Sequence, residues 1–379
     1  MSINRRTLLL AGLQTSMLGL LPLSLKARAD RQTDAITGQP ERLLSSVTDS
    51  QQRNWWLLSD IQGNEIARHT LPGRGHGAAR HPDGNAAVII GRRPATYMSV
   101  VTFDAAGNPD FQDIESDPGR HFFGHATYSS DGRWLYTTEN DYQNQRGIIA
   151  VRDTQANYAV VSEWESGGIG PHELRLLPDG KTLVVANGGI LTHPDQPRAK
   201  LNLDSMRPNL AYLDSQTGKL LERWELDDHQ LSIRHIDVTT TGRVWIGTQY
   251  EGESLDPLTL VYYHDQGQGP IKPAQAPQQI WRSLKHYTGS VVFHPGSHIV
   301  GISSPRGDQV TFWDSQSGEH LHSLSLNDVC GLTLGRRGHE FIATTGKGVI
   351  AAISAASLQI VGRQSTPDLN WDNHLQSLA

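Results

Sequence analysis

From Arg42 onward the apolar residues fall in short runs, separated by polar breaks rich in Gly, Asp and Pro. Ala86–Gly91, Met98–Phe103, Trp134–Thr138, Gly147–Arg152 and Tyr158–Trp164 are such runs, and Phe111–Glu115 is a more polar one. They are too short for stable helices and are enriched in β-branched and aromatic residues, so each predicts a strand. Apolar spacing of helical period is hard to find beyond the N-terminus.

The runs repeat as a unit. Its clearest copy is His125-Ala126-Thr127-Tyr128-Ser129-Ser130-Asp131-Gly132, followed by Arg133-Trp134-Leu135-Tyr136. A histidine opens a strand, an Asp-Gly turn follows, and a second strand begins. The unit returns at His76 to Gly84, His172 to Gly180 and His235 to Gly242. Weaker copies start near Gly289 and Cys330, and His374 opens a truncated one. Successive starts lie 49, 47, 63, 54, 41 and 44 residues apart. A second marker closes the third strand of most units: Asp60 to Gly63, Asp104 to Gly107, Asp153 to Asn157, Asp214 to Gly218, Asp265 to Gly269 and Asp314 to Gly318, with Ser354 in the same place in the Cys330 unit. The Asp side chain bonds the backbone two residues on, and Gly supplies a positive φ.

Four-stranded units of this length predict propeller blades. The expected fold class is all-β: a seven-bladed β-propeller of four-stranded blades. The last blade is expected to be closed by both chain ends. The C-terminal copy has a first strand only, and Leu43–Val47, Trp55–Ser59 and Glu65–Leu71 supply the missing three. Such closure removes free sheet edges.

The longest gap holds an insertion in the third blade. Gly188-Gly189-Ile190-Leu191-Thr192-His193-Pro194-Asp195 opens it, and Lys200-Leu201-Asn202-Leu203-Asp204-Ser205-Met206-Arg207-Pro208 closes it. A loop of this length is either functional or a surface elaboration. His193, Asp204 and Met206 are its candidates for covering the channel mouth.

The N-terminus follows a different logic. Asn4-Arg5-Arg6-Thr7-Leu8-Leu9-Leu10 is a twin-arginine start, an apolar run reaches Leu25, and Ala27-Arg28-Ala29 is a small-x-small cleavage site. Residues 1–29 are therefore expected to be a twin-arginine signal peptide, 30–41 a linker and 42–379 the propeller. The expected location is the periplasm, with no membrane span after signal removal. The leader carries four basic residues and no acidic one, so its loss takes the net charge from −6 to −10. That balance disfavours nucleic acid as a partner. Cys330 is the single cysteine, which leaves an exported chain without a disulfide pair.

In a propeller the first strand of each blade lines the central channel. His374, His76, His125, His172 and His235 open five consecutive blades, and Cys330 stands in the blade before His374. Convergent imidazoles ligate zinc, copper and iron, and a thiolate is a soft ligand. The metal-site candidates are thus His76, His125, His172, His235, His374 and Cys330. Glu173 would face away from His172 along a strand, and reaches a metal's outer shell only if the strand has not yet begun there. Weaker candidates are Glu139-Asn140-Asp141 as a cation loop, and Arg92-Arg93-Pro94 with Arg234 as an anion site. No Cys-x-x-Cys-His haem motif and no Gly-x-Ser-x-Gly elbow occurs, and no complete catalytic constellation is visible.

The twin-arginine start, Gly170-Pro171-His172-Glu173, the insertion motifs and Trp371-Asp372-Asn373-His374 together resemble a bacterial family named only as domain of unknown function 1513. The resemblance covers nearly the whole mature chain. It implies a periplasmic seven-bladed propeller associated with imelysin-like proteins of iron uptake, and it carries no catalytic residues. More distantly, the Gly-His starts and Trp313-Asp314 resemble WD-repeat blades. There a Gly-His commonly sits between blades and bonds neighbouring strands. Three functions stay open: an accessory metal-binding protein for iron or copper with protein partners in a metal-uptake system; an interaction scaffold with structural histidines; and an oxidoreductase or lyase using the histidine ring.

Overall fold

The computed structural model describes residues 41–378 apart from 197, 198, 254, 255 and 337. The expected signal peptide, 1–29, and all but the last residue of the expected linker, 30–41, lie outside the described residues. Seven antiparallel sheets form a ring of blades, a seven-bladed β-propeller. The first complete blade runs Gly75–Arg80, Ala86–Gly91, Tyr97–Phe103 and Pro109–Glu115, each strand paired with the next. Five more blades repeat this order. Their inner strands are Arg120–Tyr128, Pro171–Leu176, Leu231–Val238, Val291–His294 and Val329–Leu334.

Burial follows strand position. Ala86–Gly91 is buried at every residue, because a neighbouring blade covers each face. The outermost strands alternate instead, as in Leu220–Glu225 and Glu65–Thr70. The core consequently lies between blades: Val88, Ile90 and Met98 of one pack with Phe122, Ala126 and Leu135 of the next. The predicted Asp turns are present. The Asp104 carboxylate accepts from the amides of Ala106 at 2.9 Å and Asn108 at 2.8 Å, and Gly107 takes a φ of +84°.

Both chain ends build the closing blade, as the repeat count predicts. Its inner strand differs from the expectation that it opens at His374. It begins at Leu369–Trp371, breaks, and resumes at Gln376–Leu378, and both pieces pair with Arg42–Asp49. Trp371 opposes Val47 and Gln376 opposes Leu44, so four residues on this side face two on the other. The surplus makes His374 part of the interruption. Ser45 donates its hydroxyl to the His374 carbonyl at 2.7 Å, and the Asp372 amide donates to Ser46 at 2.9 Å, which fixes the break.

A comparable irregularity marks the inner strand of five other blades. Registers slip between Gly75 and Ala78, Phe122 and Ala126, Pro171 and Glu173, Ile233 and His235, and Val329 and Leu332. These are β-bulges, which bend a strand and re-aim side chains. Every repeat-opening histidine lies in such a bulge, at its edge or in the broken strand, and Cys330 lies in one too. The Gly289 blade has no counterpart, because its inner strand starts only at Val291.

Candidate metal centre

The bulges turn five imidazoles toward one another. Ring centroids of His76 and His125 lie 5.0 Å apart, His125 and His374 4.5 Å, His76 and His374 4.6 Å, His172 and His235 4.7 Å, and His235 and His374 4.7 Å. Two sets of three nitrogens, from His76, His125 and His172 and from His125, His235 and His374, each lie within 4.8 Å of one another. His125 belongs to both sets.

Space for this convergence comes from glycine. A Cβ on Gly124 would stand 2.5 Å from His76 Cδ2, and one on Gly77 would stand 2.7 Å from His125 Nδ1. Gly124 also holds a φ of +112°, which side chains other than hydrogen rarely tolerate.

Hydrogen bonding separates most of these rings from the buried His121 and His264, although His294 Nε2 is buried without a partner too. His121 is held by the Phe122 carbonyl at 2.9 Å, by the Asn140 amide at 2.9 Å and by Thr192 Oγ1 at 3.2 Å. His264 bonds the Tyr212 hydroxyl at 2.6 Å and the Gly269 carbonyl at 2.8 Å. In the cluster, both nitrogens of His76, Nε2 of His125, Nδ1 of His172 and Nε2 of His374 are buried with no hydrogen-bond partner. Burial of such groups costs free energy unless something satisfies them.

Carboxylates and hydroxyls stand behind the rings. Glu173 bonds His235 Nδ1 at 3.1 Å and the Ile236 amide at 3.2 Å, and approaches His125 Nδ1 at 3.7 Å. Asp372 lies 3.8 Å from His76 Nδ1 and also pairs with Arg74. Ser290 Oγ lies 3.1 Å from His374 Nδ1. The Glu173 bond to His235 is the kind of contact that orients histidines at metal sites. Glu173 reaches His235 because the register shift between Pro171 and Glu173 breaks the strict alternation of a strand.

Burial, then mutual repulsion and nearby arginines, keep the rings neutral. His76, His125 and His172 are pushed well below the ordinary histidine range, mainly by burial and then by neighbouring charge that includes the other rings. His235 is lowered to about 3 by burial, Arg234 and Arg175, and His374 to about 3 by burial and His235. Neutral imidazole is the form that ligates a metal.

The other candidates fare differently. Cys330 is not in the cluster: its thiol donates to the Asp328 carbonyl at 3.2 Å, and it lines a neighbouring cavity with Arg74, Asp328 and Asp372. Burial pushes that thiol up to about 12. Met206 is fully buried as packing, and Asp204 is exposed. His193 stacks edge-on to Tyr142 at 5.0 Å. Glu139, Asn140 and Asp141 form no cation loop. They end a buried strand, where Glu139 pairs with Arg152 at 2.7 Å and Asp141 with Arg146 at 2.8 Å and Arg120 at 2.9 Å.

A cavity of about 340 Å³ opens beside His76, His172 and His235. Its wall includes Lys200 from the insertion, Glu251, Tyr287 and Arg306, none of which stands at a repeated position, as well as Arg92, Arg93 and Arg234. The insertion therefore contributes to the site through Lys200.

The fold has relatives among solved structures. Hydrazine synthase of Kuenenia stuttgartiensis superposes with a TM-score of 0.59 at 15% identity, over 88% of this chain and 99% of that one. At that identity the likeness concerns the fold alone. No curated protein sequence matches the chain. A model of the family described as "Protein of unknown function (DUF1513)" matches residues 69–378, most of the chain, and the protein belongs to that family.

Proposed function

We propose that this protein is a periplasmic, twin-arginine-exported propeller that binds a transition-metal ion among His76, His125, His172, His235 and His374 and serves metal uptake as an accessory protein. One observation carries the reading: buried imidazole nitrogens face one another with no hydrogen-bond partner. A histidine that braces blades bonds its neighbours, as His121 does. Five neutral rings aimed at a shared space instead make a ligand set, backed by Glu173 and Asp372 as second partners.

The donor set points to the ion class. It is all nitrogen, with neither Cys330 nor Met206 adding sulfur, so it suits Fe(II) or Cu(II) better than Cu(I). Two overlapping triads let one ion take three or more of the rings. Export of a folded chain agrees with loading before translocation. Iron or copper handling with protein partners of an uptake system is the role we assign, in line with the expectation that the family resemblance carries.

The test is metal analysis by mass spectrometry of protein purified from the periplasm, beside a His125→Ala/His172→Ala variant. The expected result is stoichiometric metal in the wild type and loss of it in a variant that keeps its strand-rich circular dichroism. Metal-free wild type that also fails to take up added iron, copper and zinc would overturn the reading.

A further inference from the structure

We infer that the cavity over the imidazole cluster is a seat for a small oxyanion, a carboxylate or phosphate compound. Five cationic side chains stand on its wall: Arg92, Arg93, Lys200, Arg234 and Arg306. Glu251 is the one carboxylate there, and it is already engaged. Lys200 pairs with it, and Arg234 Nη2 donates to it at 3.0 Å. The wall thus carries a surplus of positive charge in a protein whose overall charge is negative.

The cations come from distant parts of the chain. Arg92 and Arg93 lie between the second and third strands of the first blade, Lys200 in the insertion, Arg234 in the bulge of Leu231–Val238, and Arg306 in the turn after Ile299–Ser304. No single basic run explains their meeting. Arg234 is 4% exposed, and its Nε is buried without a hydrogen-bond partner. A buried charged donor left unsatisfied is costly, and negative charge held in the cavity by the neighbouring cations would offset part of that cost. Guanidinium groups match the planar oxygens of carboxylate and phosphate two bonds at a time.

Size sets the ligand class. The cavity volume of about 340 Å³ lies at the low end for small-molecule sites, which suits compounds of citrate or phosphate size. His76, His172 and His235 form part of the same wall, so a bound oxyanion lies against the imidazoles. The anion would then be the partner ligand of any ion they hold. That last step rests on the proposed metal function, whereas the anion seat does not.

The experiment is isothermal titration of chelator-stripped and of Fe(II)- or Cu(II)-loaded protein. The probes are inorganic phosphate and citrate, with glycerol as the neutral control, and an Arg92→Gln/Arg306→Gln variant is titrated in parallel. The expected result is binding of at least one anion by the stripped protein, absent with glycerol and about tenfold weaker in the variant, the effect of losing a charge-assisted hydrogen bond. Anion binding only by the loaded protein, weakened in the variant, also supports the seat and makes the metal part of it. Absence of anion binding in both forms overturns it, and so does equal binding by the folded variant. Metal content, read separately, decides the metal reading. Phosphate against citrate distinguishes the two chemical sources.

Discussion

The ring holds two arcs built on the same repeat but filled differently. In five blades the inner strand bulges or breaks and presents an imidazole to one cluster, and in four of them a ring nitrogen is buried with no hydrogen-bond partner. In the Cys330 blade the same bulge occurs, yet the thiol turns to Asp328. In the Gly289 blade a Cβ would meet Ser303 Oγ at 2.7 Å, so a side chain there would have to displace that hydroxyl. That hydroxyl donates to the Cys330 carbonyl at 2.7 Å and ties the two blades together. The bulge therefore belongs to the fold, because it appears with and without histidine. The clustered imidazoles belong to one arc only; on the other, His294 Nε2 is also buried without a partner, but its Nδ1 accepts from the Ser297 amide at 3.1 Å and it joins no group of histidines among the described residues.

The largest effect should come from the join between the arcs. Deleting residues 374–379 removes His374 but also Leu375 and Leu378, which sit in two core clusters. Losing two buried leucines costs roughly 4–10 kcal/mol, comparable with the whole stability of a typical domain. The deletion should leave the chain largely unfolded by urea titration, whereas His374→Ala should remain folded and lose only metal affinity. Equal stability of the deletion and the wild type would show that the terminal strand does not close the ring.

Acid should act on the histidine arc next. Each imidazole there binds its proton less readily in the folded protein than in the unfolded chain, because burial penalises the charged ring. Below the ordinary value near 6.5 the unfolded chain takes up more protons, so stability falls with pH and continues to fall toward about 3, where folded His235 and His374 titrate. Above 6.5 these groups add no pH dependence. The slope is about 1 kcal/mol per pH unit for each ring, and five rings make a loss of several kcal/mol by about pH 5. Urea denaturation of metal-free protein at about pH 7.5 and about pH 5 checks this. His125→Ala/His172→Ala should show a shallower loss. A wild-type midpoint unchanged between the two pH values would contradict the burial of neutral rings.

The contrast between the arcs also shows what can be read from a linear chain. Blade number, the Asp turns and the two-ended closure follow from spacing, because each depends on local residues at a regular period. The five histidines follow from aligning the repeats. Glu173 at the back of two rings does not, since a regular strand would point it away from His172 and only the bulge brings it in. Lys200, Glu251, Tyr287 and Arg306 meet at one cavity from separate segments, and no periodicity marks them. Cys330 shares the repeat position of the histidines, and its rotation toward Asp328 is decided by contacts far too local to appear as a pattern. Glu139 looks like part of a cation loop in sequence because its arginine partner, Arg152, lies 13 residues away, and Asp141 is shared between the nearby Arg146 and the more distant Arg120.

Glu173 gives a smaller and more specific test. Glu173→Gln keeps the side chain's shape and a hydrogen-bonding group beside His235, but removes the negative charge behind His125 and His235. Outer-shell substitutions of this kind weaken metal binding by about 10- to 100-fold. Competition against a chromophoric chelator should show such a loss, with the Asp328→Asn variant on the other arc unchanged. Similar losses in both variants would mean that general destabilisation, and not orientation of the rings, is being measured.

Cys330→Ser should have the smallest effect, and it tests the division of the ring most directly. The thiol is buried, held at the Asp328 carbonyl and kept protonated by its surroundings, so it has neither the position nor the ionisation of a ligand. A serine hydroxyl can donate to the same carbonyl, so the change in stability should stay within about 1 kcal/mol. Metal stoichiometry and the optical spectrum of a Co(II)-loaded form should match the wild type. Cobalt–thiolate absorption in the wild type that vanishes in Cys330→Ser would place the sulfur on the metal and erase the boundary between the two arcs.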